Sequence, residues 1–353
     1  MQSKRLSIRV AEVLFTSHWH LVGHESELSE DKAFIRFDVL GTEIVISNDR
    51  GNLVAFNNRC PHRGARFFME DTGQASIRCQ YHGWGYVAGK IKVPNAKTFG
   101  SCQIENADLQ KYKISKCAGF IFVAIDPCQL LEDQLGELVV CDLRRISAAM
   151  GERTDFNRYS FGCDWPLAIE NALEPYHIPM VHTDSLGSLK LGVGENNFEG
   201  VNSIWRAPIL NEKLGKRLDS MAKWFMPHEA YKGYQSYYIF PFSMISSTCG
   251  YSYSLQNFFP SVNEMTFFTS RFYNSRVSDM RYSEMAALFG SSSAKMNRQI
   301  FLEDNEVCKR LAADTWSLNP PRYVSSLEDK ILHFRRSCRE ACSADLEIMG
   351  SEK

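Results

Sequence analysis

From about residue 34 to residue 125 the chain reads as short apolar runs punctuated by turn residues. Ala33–Val39 alternates apolar and polar positions, Glu43–Ser47 is β-branched, and Gly51-Asn52 marks a turn before Leu53–Phe56. Ser76–Arg78, Gly85–Val87 and Gly119–Ile125 continue the pattern. Strands this short and closely spaced predict a small all-β domain. Asp126-Pro127 and the Leu/Glu/Asp-rich run after it mark the exit, so the expected division is 1–130 and 131–353.

The second part is patterned differently. A helix is expected to begin near Trp165-Pro166, where proline tolerates its missing N–H. Phe198–Arg206, Ser236–Phe240, Ser252–Phe258 and Met265–Tyr273 read as strands, and Ser291-Ser292-Ser293 as a short loop. Helical patterns at 294–314 and 326–342 close the chain. Strands grouped ahead of helices indicate an antiparallel α+β domain rather than βαβ units.

Charge adds a negative result. Forty Lys and Arg against 41 Asp and Glu give no electrostatic reason to expect nucleic acid. No run approaches the roughly 18 uncharged apolar residues of a membrane span. The N-terminus has no apolar core of a signal peptide, so a soluble, cytoplasmic protein is expected. Eleven cysteines, an odd number over 353 residues, do not resemble a secreted disulfide framework. Most are expected to be free thiols packed as small apolar side chains.

Cys60 and Cys79 are different. Cys60-Pro61-His62 is followed, after sixteen intervening residues, by Cys79-Gln80-Tyr81-His82. Two Cys-plus-His pairs on two loops of a β domain offer four metal ligands. They could surround one zinc tetrahedrally. Alternatively, two thiolates could hold one iron and two imidazoles the other in a [2Fe–2S] cluster. Spacing leaves both open. Gly64 and Gly83 suit tight turns that bring backbone N–H groups towards bridging sulfides, and Tyr81 and Trp84 offer an aromatic cover.

A second constellation follows the helix start: Glu170-Asn171-Ala172-Leu173-Glu174-Pro175-Tyr176-His177, then His182. Asn171, Glu174 and His177 are three apart and are expected on one helical face. Five steps separate His177 from His182, roughly 140° around a continuous helix, but Pro179 is expected to break the ladder and let His182 swing back. Two histidines need a carboxylate to complete a facial triad. In the last-but-one helix, Met296, Ile300, Val307 and Leu311 form the expected apolar stripe, and Asp304 falls within it. Glu303 lies on its margin and Glu306 points away. An unpaired buried carboxylate is costly, so Asp304 is the expected ligand.

The strings CPHRGA (60–65) and CQYHGW (79–84) resemble the two cluster loops of Rieske-type nonhaem iron oxygenases. N-A-L-E-x-Y-H-x4-H (171–182) resembles the mononuclear-iron motif of the same family, about ninety-five residues on. The resemblance covers nearly the full chain, including Trp19 and Val22-Gly23-His24. It implies an N-terminal Rieske domain and a C-terminal helix-grip-like catalytic domain. It also implies a [2Fe–2S] cluster on Cys60, His62, Cys79 and His82, and a mononuclear Fe(II) on His177, His182 and Asp304. Glu174 would bridge His177 to His82 of a neighbouring subunit in a head-to-tail homotrimer. Two departures qualify the analogy. Glu174 stands where aspartate is more usual, a glutamate variant that resembles quaternary-amine monooxygenases, and Asp164-Trp165-Pro166 replaces the more usual Asn-Trp-Lys.

The implied activity is that of a terminal oxygenase that hydroxylates or oxidatively demethylates a small aromatic or quaternary-amine substrate. The alternatives are aromatic ring cis-dihydroxylation and, in another class, a Rieske electron carrier. Gly192-Val193-Gly194 lacks the third glycine of a dinucleotide fingerprint, because Asn197 stands there. Electrons from NAD(P)H are therefore expected through a separate reductase, with or without a ferredoxin. Aromatic segments Tyr231–Phe242 and Tyr251–Phe259 are read mainly as sheet core.

Overall fold

The computed structural model describes residues 2–100, 104–226, 231–262, 266–312 and 315–343. Two seven-stranded antiparallel sheets organise them. The first holds β1 (His20–His24), β2 (Ala33–Val39), β3 (Thr42–Asp49), β4 (Asn52–Asn57), β5 (Thr72–Gln74), β8 (Lys111–Cys117) and β9 (Phe120–Ala124). Their spatial order is β1-β9-β8-β4-β3-β2-β5, with the small hairpin β6 (Gly85–Val87) and β7 (Lys90–Lys92) apart. The second sheet runs β10 (Met150–Phe161), β16 (Thr266–Ser275), β15 (Ser252–Phe259), β14 (Ser243–Thr248), β13 (Tyr234–Ile239), β12 (Asn202–Ala207) and β11 (Glu195–Glu199). The helices named below are α1 (Gln2–Ser17), α2 (Leu131–Leu135), α3 (Glu137–Ala149), α4 (Trp165–Leu173), α5 (Ile178–Val181), α6 (Glu212–Met221), α7 (Ser283–Cys308) and α8 (Asp329–Ala341).

All eight residues of β15 are buried because both faces of the second sheet are covered. With period two, Tyr253 and Leu255 face the core beneath β1, and Ser252, Ser254, Gln256 and Phe258 face a cavity on the helical side. The two sheets are joined by buried polar bonds. The Leu21 carbonyl accepts from Asn257 Nδ2 (2.7 Å) and Ser243 Oγ (3.0 Å). Gln134 binds both Trp19 backbone groups (2.8 Å each) and the Phe240 carbonyl (3.0 Å). Glu27, near the first sheet, meets Arg271 (3.4 Å) and Arg153 (3.2 Å) of the second and accepts from the Tyr273 hydroxyl. At the chain's start, α1 packs on α8, and Ser7 O accepts from Trp165 Nε1 (3.1 Å).

Several expectations change. Of Ser76–Arg78 only Arg78 pairs, in an isolated bridge to Gly85, because the chain is already turning into the Cys79 loop. The expected strand Phe198–Arg206 is a hairpin of β11 and β12 that turns at Gly200-Val201. The helix from Trp165 ends at Leu173, since Pro175 holds Glu174 in extended backbone (φ −111°, ψ 141°). Asn171, Glu174 and His177 therefore do not share a helical face. Pro179 sits at the start of α5 rather than breaking a helix. The serine triplet 291–293 lies inside α7, which begins eleven residues before the expected 294 and ends at Cys308. Residues 313 and 314 of that expectation, and Met265, lie outside the described residues. The buried stripe of α7 is Asn297, Phe301, Asp304 and Cys308, one residue out of phase with the expected one, and Met296 and Leu311 are each 38% exposed. Cys128 and Cys141 are exposed rather than packed.

The Glu27 contacts generate a stability test. The side chains of Arg271 and Glu27 are only 2% and 4% exposed, so Glu27→Ala strands a buried guanidinium. Unfolding by urea should show a loss of about 3–5 kcal/mol. A change within error would show that the pair does not hold the layers together.

Candidate metal centres

The two cluster-type loops are built alike. Cys60 N–H donates to the Ala65 carbonyl (2.8 Å) and Gly64 N–H to the Cys60 carbonyl (2.8 Å). Cys79 N–H donates to the Trp84 carbonyl (2.8 Å) and Gly83 N–H to the Cys79 carbonyl (2.9 Å). Each turn needs a left-handed residue at its fifth position, supplied by Gly64 (φ +73°) and Gly83 (φ +74°). The loops thereby bring like donors together. The buried Cys60 and Cys79 thiols adjoin, and burial followed by the Cys79 contact pushes the Cys60 thiol up. The His62 and His82 rings lie 4.6 Å apart.

Segregation of thiols from imidazoles suits a two-iron cluster, in which each iron takes one kind of ligand, better than a single mixed zinc site. His62 Nδ1 is buried without a hydrogen-bond partner, an orphan that a metal would satisfy. Trp84 stacks on His62 at 5.0 Å and 6° from parallel, forming the inner cover. Tyr81, 59% exposed, lies against the His82 ring at 3.9 Å, and His82 itself faces outward.

The second group comes from three elements. His177 precedes α5, His182 ends it, and Asp304 lies on the buried face of α7. His177 Nε2 and His182 Nε2 are 3.2 Å apart. Asp304 Oδ1 is 3.1 Å from His182 Nε2 and 3.5 Å from His177 Nε2. A triangle of two imidazole nitrogens and one carboxylate oxygen at this spacing could hold one metal ion on a single face, leaving the opposite face open.

The far side of each ligand candidate is also held. His177 Nδ1 meets Glu174 Oε1 at 2.6 Å, and Glu174 Oε2 accepts from the Tyr176 and His177 backbone N–H groups. His182 Nδ1 meets Glu303 Oε2 at 2.7 Å. Asn171 Nδ2 donates to Asp304 Oδ1 at 2.8 Å. Carboxylates on both Nδ1 atoms fix the tautomer that directs the Nε2 lone pairs inward. The sequence places Glu303 on the margin of the α7 stripe, but its contact behind His182 is not anticipated there. Glu303 is kept in place by Ser185 (2.5 Å) and Gln299 (2.8 Å), and only the i,i+4 spacing of Gln299 and Glu303 was there to be read.

The metal-free electrostatics follow from this geometry. Burial alone would lower His177, but Asp304 and Glu174 outweigh it and hold the imidazole at about 9. Burial would raise Asp304, but the two imidazoles hold it at about 2. A raised His contributes stability fully below its unfolded value of 6.5 and loses it as pH rises through about 9. A depressed Asp contributes above 3.8 and loses it as pH falls through about 2. Metal-free protein should therefore gain most over metal-free Asp304→Asn at pH 4–6.5. Denaturation at pH 6 and 9.5 should show that gain shrinking at the higher pH, and a growing gain would contradict the coupling.

A cavity of about 350 Å³ opens beside the triangle. Its floor is a cross-strand row, Trp205–Ser236–Ser246–Ser254–Phe272, paired position by position from β12 to β16. Three hydroxyls bracketed by two aromatics form a polar stripe along this floor. Among the expected aromatic segments, Tyr234 and Phe258 reach the cavity, whereas Tyr237, Tyr238, Phe240, Phe242 and Tyr253 are buried core.

Residues 18–112 match the Rieske [2Fe-2S] domain family, and residues 150–344 match the ring hydroxylating alpha subunit (catalytic domain) family. The chain is 30% identical over 193 residues to the anthranilate 1,2-dioxygenase large subunit of Acinetobacter baylyi, covering 51% of this chain and 40% of that one. It is likewise 30% identical over 195 residues to the carnitine monooxygenase oxygenase subunit of Acinetobacter pittii, covering 51% and 50%. These alignments span half or less of each relative's length. In fold, the chain is similar to a quaternary ammonium Rieske monooxygenase solved with L-carnitine, at a TM-score of 0.74, 20% identity and coverage of 96% and 93%. A naphthalene 1,2-dioxygenase solved with phenanthrene gives a TM-score of 0.67 at 18% identity, covering 87% and 77%. With the β-sheet cluster domain ahead of the two-histidine, one-carboxylate domain, the chain belongs to the ring-hydroxylating alpha-subunit family of Rieske proteins.

Proposed function

We propose that the chain is the terminal oxygenase component of a nonhaem iron system. Cys60, His62, Cys79 and His82 hold its Rieske cluster, and His177, His182 and Asp304 hold a mononuclear Fe(II). The observation that carries this reading is the Nε2–Nε2–Oδ1 triangle, with a carboxylate behind each imidazole, in the same chain as a Rieske domain. Iron held there would supply O2 activation, and the Rieske cluster would supply electrons one at a time. The chain's own residues then have definable tasks. Glu174 and Glu303 orient the imidazoles, Asn171 steadies Asp304, and the cavity positions the substrate and limits water.

The reaction best supported is hydroxylation or oxidative demethylation of a small organic substrate. The Trp205 and Tyr234 rings stand 5.8 Å apart and 61° from parallel, an arrangement that suits a methylated ammonium by cation–π contact. The hydroxyl stripe disfavours a purely hydrocarbon ring.

A head-to-tail homotrimer accounts for two exposed features. Near Glu174, Tyr176 and Met180 are 63% and 82% exposed, and at the cluster Tyr81 and His82 face outward. In a closed ring these surfaces would meet, with Glu174 linking His177 to His82 of the partner subunit. Electrons would enter from a separate NAD(P)H-dependent reductase, directly or through a ferredoxin. No helix among the described residues is long and apolar enough to cross a membrane.

Metal analysis tests the assignment. The purified protein should carry about three irons and two acid-labile sulfides per chain, with little zinc. Cys79→Ser should lose the visible colour and anisotropic EPR signal of the cluster. Asp304→Ala should keep both but lose the mononuclear iron, and neither variant should form product. Zinc in place of iron, or full iron occupancy in Asp304→Ala, would overturn the reading.

A further inference from the structure

Lys330 is a charged cavity-lining residue that the proposed mechanism leaves unused. It lies in the first turn of α8, and only 2% of it is exposed. Among the described residues, its ammonium has neither a salt bridge nor a hydrogen-bond acceptor. Two physical facts count against a structural role. A buried cation without a partner is destabilising. A cation in the first turn of a helix also faces the positive end of the helix dipole. Burial accordingly pulls its pKa down to about 7.

The other charged groups lining the cavity are Glu174, His177, His182 and Asp304, and they engage one another. Among the described residues, Lys330 is the one lysine or arginine of the lining. Ser236, on the sheet floor, also carries a buried Oγ with no partner. The cavity therefore offers a lone positive charge and an unsatisfied hydroxyl to whatever enters it.

We propose that Lys330 is a specificity-determining residue that binds the carboxylate of a small organic acid, so that the substrate of this site carries a carboxylate group. The inference rests on the oxygenase reading, because it names the substrate class of that same site. Entry of a carboxylate supplies the missing counter-charge and favours the protonated amine, a charge-assisted hydrogen bond in a water-poor setting. A neutral isostere cannot do so.

The test is equilibrium binding to the oxidised, iron-loaded protein by calorimetry, without reductase. The probes are γ-butyrobetaine and anthranilate, each compared with its primary amide. Lys330→Met and Lys330→Gln remove the charge, and iron and sulfide contents report that the protein has assembled. Wild-type protein should prefer at least one acid over its amide. Both variants should bind that acid at least about tenfold more weakly, with amide binding unchanged. Equal affinity for acids and amides, no binding of either acid, undiminished acid binding in the variants, or parallel loss of acid and amide would each overturn the proposal. No turnover is read, so a failure here is separate from absence of product with every compound, which would count against the oxygenase reading.

Discussion

Two imidazole Nε2 atoms and one carboxylate oxygen held within 3.5 Å of one another are the arrangement around which the catalytic domain is organised. The local chain is shaped to produce it. Pro175 ends α4 and turns Glu174 into extended backbone, and the short α5 then carries His177 and His182 from its two ends to one point. Asp304 reaches that point from a 26-residue helix whose buried stripe would otherwise reject a carboxylate. Glu174 and Glu303, bonded to the outer nitrogens, leave the inner ones free to act as ligands.

The remaining architecture keeps that point in register with the cluster domain. The second sheet is covered on one face by β1 and its neighbours and on the other by the cavity and helices. This is why β15 is buried throughout while alternating between core and cavity residues. The joint between layers is polar as well as apolar, through Asn257, Gln134 and the Glu27–Arg271 pair. Buried hydrogen bonds of this kind are directional, so they restrict sliding between layers more than apolar contact alone.

Much of this was legible in the sequence. The two cluster loops and the histidine pair are local motifs, and each loop closes on itself through two bonds within six residues. Asp304 was identifiable because an acid inside a buried stripe needs a partner, even though the expected stripe was a residue out of phase. What escaped notice depends on contacts remote in sequence. Glu303 finds His182 across 121 positions. Lys330 looks like an ordinary helix-surface lysine until α8 is packed. Pro175 rather than Pro179 ends the first helix, so it is shorter than the sequence pattern implies. Helix α1 was missed, although Leu6, Val10 and Leu14 recur at four-residue spacing and the latter two are buried.

The central claim is that one chain's iron site works with a cluster, and that the surfaces around Glu174 and His82 join the two across subunits. Mixed-chain complementation tests this most directly. Cys79→Ser and Asp304→Ala proteins would be assayed separately, then unfolded, mixed, refolded with iron and sulfide, and assayed with reductase, O2 and substrate. The account predicts that each is inactive alone and that the mixture forms product, because an intact cluster on one chain can serve an intact iron site on its neighbour. A mixture that carries both metal centres, assembles like wild type and still forms no product would contradict it.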